Sequence, residues 1–343
     1  MPDGINEIDT QSLQDYLQPQ LTGLEAPLTA TKFSGGQSNP TFLLEAGTQR
    51  YVLRKQPPGE LLKSAHAVDR EFRVMQALDA TPVPVPTMHL LCEDRDVIGE
   101  MFFVMEYVAG RTFWDSALPE QEVSERTAIY KDMGRVLANL ANVDYEQIGL
   151  ADFGRPGNYF ARQLKRWSEQ YRLTAFREIV AMEWIMPWLH EHMPPDDGRT
   201  ALVHGDFRLD NLRYAQDTAT VSAILDWELS TLGHPLADLA NLCMQMRAPT
   251  RMANMSGLAG RDLAALGIPS EQEFIDQYSA DTGISIGHWP FYLAFSLFRL
   301  AAILQGVAKR GREGNASNPQ ALQLADHVEP LADLAVTIAR EQH

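Results

Sequence analysis

The sequence predicts an α+β fold of two lobes, in which a small β-rich half with one helix precedes a larger, mainly helical half. Short segments rich in Thr, Phe, Leu and Val extend from residue 28 to residue 53, a composition typical of strands. Helical periodicity dominates from residue 124 onward and is interrupted by one strand-rich stretch at 201–225. A length of 343 residues with 45% hydrophobic content is sufficient for two packed lobes.

The first half begins with apolar spacing that predicts a short helix within residues 5–21, interrupted near its end by Pro19. Two strands then flank a glycine-containing turn at 33–40, and a third strand, 51–54, follows Gly47. The remaining predicted elements of this half are one amphipathic helix and two strands, at residues 65–78, 88–92 and 101–108.

The second half is predicted to begin after a short connector at 108–111, where Ala109-Gly110 breaks the strand pattern. Apolar periodicity predicts five helices in it, at residues 124–140, 158–171, 176–192, 235–246 and 290–309. A polar loop at 310–319 precedes a last helix. We therefore expect three units, namely a helical extension, a β-rich lobe and a helical lobe, at residues 1–27, 28–108 and 109–343.

The charge balance argues against a nucleic-acid partner. The chain carries 29 Lys plus Arg against 45 Asp plus Glu, a net charge of −16, whereas a phosphate backbone is bound through a basic face. If an anionic nucleotide binds, the positive potential has to be local, from a few basic side chains, backbone N–H groups and a divalent metal.

The two cysteines, Cys92 and Cys243, form no C-x-x-C pair, so we expect buried, reduced thiols rather than a zinc site or a disulfide framework. Residues 1–20 lack a basic segment followed by an apolar one, and no stretch approaches eighteen uninterrupted apolar residues. We expect a cytoplasmic protein without a membrane partner. The sequence leaves a monomer and a homodimer equally open.

The strongest chemical signal is a loop of the form H-x-D-x-x-x-x-N between two apolar segments, made by His204, Asp206 and Asn211. A second acid, Asp226, directly follows the apolar segment 221–225. Both acids are therefore expected to emerge where strands end. The alternative is an ordinary turn in which Asp and Asn cap the backbone.

This set of side chains suits phosphoryl transfer to an alcohol, which needs charges in fixed positions more than covalent catalysis. Asp206 can accept the proton of the hydroxyl and orient the nucleophile, while His204 is expected to brace the catalytic loop. Asn211 and Asp226 offer an amide oxygen and a carboxylate, and oxygen ligands of this kind suit Mg²⁺.

The stretches 204–211 and 224–227 resemble the signature of the aminoglycoside phosphotransferase and choline-kinase-like superfamily, which is related to protein kinases. The similarity covers the chain from about residue 28 onward. More narrowly, residues 51–58, 64–73 and 226–238 resemble the kinase-like segment fused to some acyl-CoA dehydrogenases. The resemblance implies a protein-kinase-like two-lobed fold, with nucleotide binding in the first lobe and the catalytic loop and acceptor site in the second.

It also implies a Mg²⁺-dependent kinase that uses ATP or GTP and a small-molecule hydroxyl acceptor. The narrower resemblance points to a hydroxyacyl acid or its CoA thioester as acceptor. An aminoglycoside, choline, another amino alcohol or a sugar remains the alternative. Two further readings stay open: a nucleotide-binding pseudokinase or regulatory module, and a helical scaffold without a ligand.

A kinase of this type needs a cation on a strand to hold the phosphates and a helix carboxylate to orient that cation. Arg54 and Glu71 are the candidates, and strand alternation places Val52 on the face of Arg54, where it can cover the adenine. A shift of one residue in register would exchange Arg54 for Lys55. Alternatively, both cations are solvated charges at a strand end.

Two other segments match the nucleotide-binding parts of the family. Gly35, Gly36, Ser38 and Asn39 occupy the place of the phosphate-covering loop, although they lack the G-x-G-x-x-G pattern and also suit a plain hairpin turn. Glu106 and Val108 resemble the hinge whose backbone groups bond the adenine edge, and a plain interior strand is the alternative.

The remaining candidates lie in the second half. Asp238 resembles the buried aspartate that supports the catalytic loop, and Glu228 is expected to reach a metal through water or to cap a helix. Arg299, Lys309 and Arg310 are candidates for contact with an anionic acceptor, because the acceptor in this superfamily binds among the C-terminal helices.

Overall fold

The computed structural model describes residues 8–33, 39–59, 67–250, 256–313 and 321–341. The first half forms one antiparallel sheet of five strands in the order β1-β2-β3-β5-β4. Its strands are β1 Leu28–Lys32, β2 Thr41–Ala46, β3 Gln49–Lys55, β4 Met88–Cys92 and β5 Phe102–Glu106. The predicted strands are confirmed, except that β5 ends at Glu106, two residues before the predicted end.

Two helices accompany this sheet, α1 Thr10–Leu17 and α2 Val68–Leu78. The side chain of Asp9 accepts two backbone N–H bonds at the start of α1, which fixes where that helix begins. It is shorter than the predicted span because the chain turns directly after Leu17. The start of the second predicted helix, residues 65–66, lies outside the described part of the chain.

Strand alternation divides the side chains of the sheet between two cores. Leu53 and Val104 point toward α1 and form a small cluster with Leu13 and Leu17. Val52 lies on the other face, in a cluster that continues through α2 into the helical half. One face of the sheet is thus part of the main core, and its residues meet the second half of the chain.

The second half contains eight helices in the part of the chain that the structure describes. They are α3 Val123–Ala141, α4 Tyr159–Thr174, α5 Val180–Glu191, α6 Leu236–Arg247, α7 Leu263–Leu266, α8 Glu271–Thr282, α9 Trp289–Arg312 and α10 Val328–Arg340. The five predicted helices are confirmed, but α5 begins at Val180 rather than at residue 176. α8 was not predicted, although its capping box of Ser270 and Glu273 is readable from sequence.

Two small antiparallel ladders lie among these helices. β6 Ala201–Val203 pairs with β9 Thr231–Gly233, and β7 Leu212–Tyr214 pairs with β8 Val221–Ile224. The pairing of β7 with β8 is the predicted hairpin. β9 was missed because it has only three residues, too few for a periodic pattern.

The connector between the halves is fixed to this hairpin by an isolated bridge between Arg111 and Tyr214. The N–H of Arg111 donates to the Tyr214 carbonyl at 2.8 Å, and the return bond measures 2.9 Å. Gly110 has φ 151°, and a Cβ there would lie 2.0 Å from the Tyr214 oxygen. This close approach requires glycine.

Helix α9 is long and apolar enough to cross a membrane by length and composition alone, and 78% of its apolar window is buried inside the structure. Both cysteines are buried and free, as predicted. The predicted unit boundaries at residues 27 and 108 stay predictions.

Candidate active site

Asp206 and Asn211 lie at the two ends of a tight loop that includes a short helix, Leu209–Asn211. The Asn211 Nδ2 donates to the Asp206 carbonyl at 2.9 Å and to its Oδ2 at 3.1 Å. Arg208 Nε lies 3.4 Å from the same carboxylate oxygen. Because the amide nitrogen faces Asp206, the amide oxygen of Asn211 is turned away from it. The loop therefore presents the Asp206 carboxylate and, pointing in another direction, the amide oxygen of Asn211.

The buried Asp238 holds the start of this loop. Its carboxylate oxygens accept the N–H groups of His204 at 2.7 Å and Gly205 at 2.8 Å. Burial raises the pKa of Asp238, while the two N–H bonds oppose that effect. Gly205 has φ 87°, and a Cβ there would lie 2.7 Å from the Leu229 carbonyl oxygen. Asp238 thus fixes the backbone of the loop independently of the loop's own side chains.

His204 joins the loop to the segment that carries Asp226. Its Nε2 lies 2.9 Å from the Leu225 carbonyl and must donate to it, so Nδ1 accepts the N–H of Asp206 at 3.2 Å. The ring is therefore a neutral imidazole with its proton on Nε2. It is fully buried and lies between the loop and the Leu225 carbonyl rather than facing the cleft.

Asp226 is presented by an unusual backbone turn. It has φ 66° and ψ 61°, a left-handed conformation that is uncommon for aspartate, and its side chain is 37% exposed. The N–H of Leu225 donates to the Asn211 carbonyl at 2.8 Å. That bond fixes Asp226 beside Asn211, so the two candidate metal ligands share one edge of the hairpin.

Arg54 connects the sheet to this edge. Its Nε lies 3.0 Å from the Glu71 carboxylate, and its Nη2 lies 2.6 Å from Asp226 and 3.5 Å from Glu228. The guanidinium is only 12% exposed and Glu71 only 2%. Glu228 thus contacts the arginine.

Burial raises the pKa of Glu71 to about 7, helped by the carboxylates of Asp226 and Glu228 and opposed by Arg54. These three carboxylates raise the pKa of Arg54, although burial acts in the opposite direction. The site is therefore a buried cation surrounded by acids, and the acids exceed it in number.

The register of β3 places Lys55 on the opposite face from Arg54. Val52 and Arg54 point toward the helical half, whereas Leu53 and Lys55 point toward the α1 side of the sheet. Of the two candidate cations, it is thus Arg54 that contacts Glu71.

Of the other candidate residues for nucleotide binding, some lie outside the described residues and the others lie within them. Gly35, Gly36 and Ser38 lie outside the described residues, and Asn39 is buried. The N–H of Glu106 donates to the Thr87 carbonyl at 2.9 Å.

Val108 follows Glu106 in the connector and is half-buried. Its N–H takes part in no backbone bond to any residue within the described ranges. The hinge assignment of Glu106 and Val108 stays a prediction.

The three basic candidates of α9 separate clearly. Arg299 Nη2 donates to the Gly205 carbonyl at 2.9 Å, directly beside Asp206. Lys309 instead donates to the Leu173 carbonyl and lies 3.8 Å from Glu313. Arg310 is exposed and lies about 16 Å along the helix from Arg299. Both residues thus lie farther from the catalytic loop than Arg299, and their contact with an acceptor stays a prediction.

Sequence reasoning missed the aromatic and basic residues of α4 that lie next to Arg299. The Arg299 guanidinium is 5.7 Å from the centre of the Trp167 ring, and that of Arg166 is 5.2 Å from the same ring. The adjacent Arg166-Trp167 pair is visible in the sequence, but its position against α9 depends on helix packing that no local pattern specifies.

A family model confirms the resemblance drawn from these motifs. The model of the phosphotransferase enzyme family, APH, matches residues 29–274. A mouse protein named acyl-CoA dehydrogenase family member 10 is 45% identical over 335 residues, covering 96% of this chain and 31% of the relative. The rat family member 11 is 41% identical over 341 residues, covering 98% of this chain and 44% of the relative. The chain thus spans less than half the length of these curated relatives.

Solved structures give the same fold. A crystal structure from Ralstonia eutropha JMP134 that carries the name aminoglycoside phosphotransferase has a TM-score of 0.88 and 46% identity, covering 97% of this chain and 99% of its own. Aminoglycoside phosphotransferase APH(4)-Ia, in a complex with AMP-PNP and hygromycin B, has a TM-score of 0.62 and 16% identity, covering 96% and 98%. The chain therefore belongs to the APH phosphotransferase enzyme family.

Proposed function

We propose that this protein transfers the γ-phosphate of ATP to the hydroxyl of a small molecule in a Mg²⁺-dependent reaction. The observation that carries the proposal is the meeting of Asp206, Asn211 and Asp226 at one edge of the hairpin, beside the Arg54–Glu71 ion pair. Phosphoryl transfer needs this combination of a base, oxygen ligands and a fixed cation. The complex of APH(4)-Ia with AMP-PNP supports a nucleotide in this fold.

Asp206 is the proposed base. Its carboxylate is 34% exposed, while Asn211 and Arg208 fix its orientation from one side. In the reaction, Asp206 accepts the proton of the acceptor hydroxyl as the oxygen bonds to the γ-phosphorus. The bond between that phosphorus and the β–γ bridging oxygen breaks, and ADP leaves with the electron pair.

The donor set at the hairpin edge fits Mg²⁺. An amide oxygen of Asn211 and the partly exposed carboxylate of Asp226 are hard oxygen donors, and Mg²⁺ typically takes one or two protein carboxylates together with phosphates and water. Consistent with this, the described residues contain no group of three or more His, Cys, Asp or Glu that forms an all-protein cage. When bound, the metal would neutralise charge on the β- and γ-phosphates.

Arg54 is the proposed phosphate clamp, and Glu71 fixes its orientation from the buried side. The Nη2 of Arg54 also lies 2.6 Å from the Asp226 carboxylate. We propose that Arg54 exchanges this contact for the phosphates, which frees the Asp226 carboxylate for the metal. The exchange keeps the guanidinium paired with an anion throughout, so its burial carries no unpaired charge.

The acceptor that we propose is a hydroxyacyl acid or its CoA thioester. Support comes from the relatives named acyl-CoA dehydrogenase family members 10 and 11, which match this chain along 96–98% of its length. Most of each relative lies outside the matched part, and its name concerns acyl-CoA chemistry. A kinase segment joined to such a protein suits an acyl substrate better than an antibiotic.

A screen of acceptors tests the proposal. The protein is incubated with ATP and MgCl₂ and with hydroxy acids, their CoA thioesters, amino alcohols or sugars, and mass spectrometry detects the gain of one phosphate. We expect a gain on hydroxyacyl compounds alone, lost in Asp206→Asn and on chelation of the metal. Transfer only to amino alcohols or sugars would overturn the acceptor class. Stabilisation by ATP without transfer to any hydroxyl would indicate a pseudokinase.

A further inference from the structure

One surface beside Asp206 faces the C-terminal helices. This surface, which we call the arginine wall, is formed by Arg166 and Trp167 of α4 and Arg299 of α9. It touches the catalytic loop through the bond from Arg299 Nη2 to the Gly205 carbonyl at 2.9 Å. Gly205 directly precedes the proposed base, so the wall borders the place where an acceptor hydroxyl must lie.

Arg299 has bonding capacity left over. The Gly205 carbonyl takes one donor from Nη2, and the buried Nε has no hydrogen-bond partner within the described ranges. A guanidinium carries five N–H donors in a fixed fork. The single bond to Gly205 therefore accounts for only part of what this side chain can do.

The wall also holds positive charge, of which Arg299 attracts the buried Asp238 without forming an ion pair with it. Arg166 and Arg299 lie 5.2 Å and 5.7 Å from the centre of one Trp167 ring, and neither forms an ion pair with a described residue. Other arginines of the chain, such as Arg111 and Arg247, each pair with a glutamate at 2.6 Å. Many described arginines form no ion pair, and what distinguishes these two is that they share one Trp167 ring and that Arg299 also contacts the catalytic loop.

Nearby groups report the same positive potential. Burial raises the pKa of the Tyr159 hydroxyl at the start of α4, Asp238 raises it further, and Arg299, Arg162 and Arg166 oppose both effects. The cations thus face one common region. Two like charges at one ring repel each other, and an anion beside them would relieve that repulsion.

We propose that the arginine wall binds a negatively charged group of the acceptor, with Arg299 and Arg166 as its charge partners and Trp167 as the surface against which the adjacent chain packs. This inference rests on the proposed transfer to a hydroxyacyl compound and specifies how that compound is held. Two sources of the charge fit the wall: the carboxylate of a free hydroxy acid, or the phosphates of its CoA thioester. A polycationic aminoglycoside would meet like charge here, and the wall excludes it.

Binding measurements with three probes test the wall independently of turnover. The probes are one hydroxy acid, its CoA thioester and its pantetheine thioester, which lacks both the carboxylate and the CoA phosphates. Each is titrated calorimetrically into full-length protein saturated with AMP-PNP and Mg²⁺. We expect one or both charged probes to bind more tightly than the pantetheine thioester, and the tighter one identifies the source of the charge.

The variants are Arg299→Met, Arg166→Met and, as matched control, Lys165→Met, which removes an exposed cation from the neighbouring position of the same helix. Loss of a charge-assisted bond in Arg299→Met is expected to weaken the charged probe by about 10- to 100-fold. The more exposed Arg166 should contribute about two- to five-fold. The control should retain the wild-type affinities.

The ratio of affinities for the charged and the neutral probe distinguishes direct contact of Arg299 with the acceptor from a purely structural role in holding the catalytic loop. A purely structural role for Arg299, through Gly205, would weaken all three probes equally and leave the ratio unchanged. An unchanged ratio in both arginine variants, or equal affinities in the wild type, would overturn the proposal. Tight, arginine-dependent binding of a charged probe that is never phosphorylated with ATP would preserve the wall and overturn the proposed function instead.

Discussion

Replacing Glu71 by Gln should remove the loss of stability that the wild type shows toward alkaline pH, while weakening ATP use. Glu71 is a 2% exposed carboxyl whose pKa lies at about 7 instead of 4.5. A carboxyl whose pKa is higher in the folded protein binds its proton more tightly there. Its contribution is fully present below pH 4.5 and is lost as the pH rises through about 7. Glutamine does not titrate, so the stability of the variant lacks this dependence on pH.

The size of the effect follows from the gap between the two pKa values. A difference of about 2.5 pH units corresponds to about 3 kcal/mol of unfolding free energy at fully alkaline pH. Between pH 5.5 and pH 8.5, about 2 kcal/mol of this should be lost from the wild type and retained in the variant. This range avoids the isoelectric point of about 5.0, where the protein is least soluble.

Urea unfolding at several pH values measures this difference, with Glu45→Gln, at an exposed position of β2, as a control for the loss of one negative charge. The same Glu71→Gln protein should show a KM for ATP raised about ten-fold, because Arg54 loses its charged partner. Parallel stability curves for the wild type and Glu71→Gln across this pH range would refute a buried, proton-binding Glu71.

Three further outcomes follow from the geometry. In the wild type, kcat/KM for ATP should rise with pH through about 7 as Glu71 ionises, and a pH–rate profile of Glu71→Gln should lack that limb. Asp238→Asn should lower the unfolding free energy by about 2–4 kcal/mol, since an amide can accept only one of the two N–H groups that the carboxylate accepts; calorimetric melting checks this. Gly110→Ala should cost at least about 2 kcal/mol in the same assay, because its Cβ would meet the Tyr214 carbonyl, and wild-type stability in that variant would contradict the connector geometry.

Much of the fold was readable from the sequence because most elements have strong patterns. The alternating strands of the sheet and the apolar stripe of α2 produced correct elements with boundaries wrong by a few residues. β9 was missed because a strand of three residues shows no periodic pattern. The predicted start of α5 was too early because the apolar residue Phe176 precedes the true start at Val180.

The sequence predicted which residue types form the candidate site but not the contacts between them. Residue type and spacing identified Asp206, Asn211 and Asp226. Neither could show that Arg54 reaches across to Asp226, 172 positions away, because that contact depends on how the sheet packs against the hairpin. The same holds for Arg299 and Trp167, whose meeting requires the packing of α4 on α9.

The central claim, that Asp206 takes the proton of an alcohol during phosphoryl transfer, is tested most directly by single-turnover kinetics of Asp206→Asn with ATP, Mg²⁺ and the best hydroxyacyl acceptor. Asparagine keeps the size of the side chain and an acceptor oxygen for Asn211, so the melting temperature should stay close to that of the wild type. The rate constant for transfer should fall by about 10²–10⁴-fold. A folded variant that transfers phosphate at the wild-type rate would contradict the account.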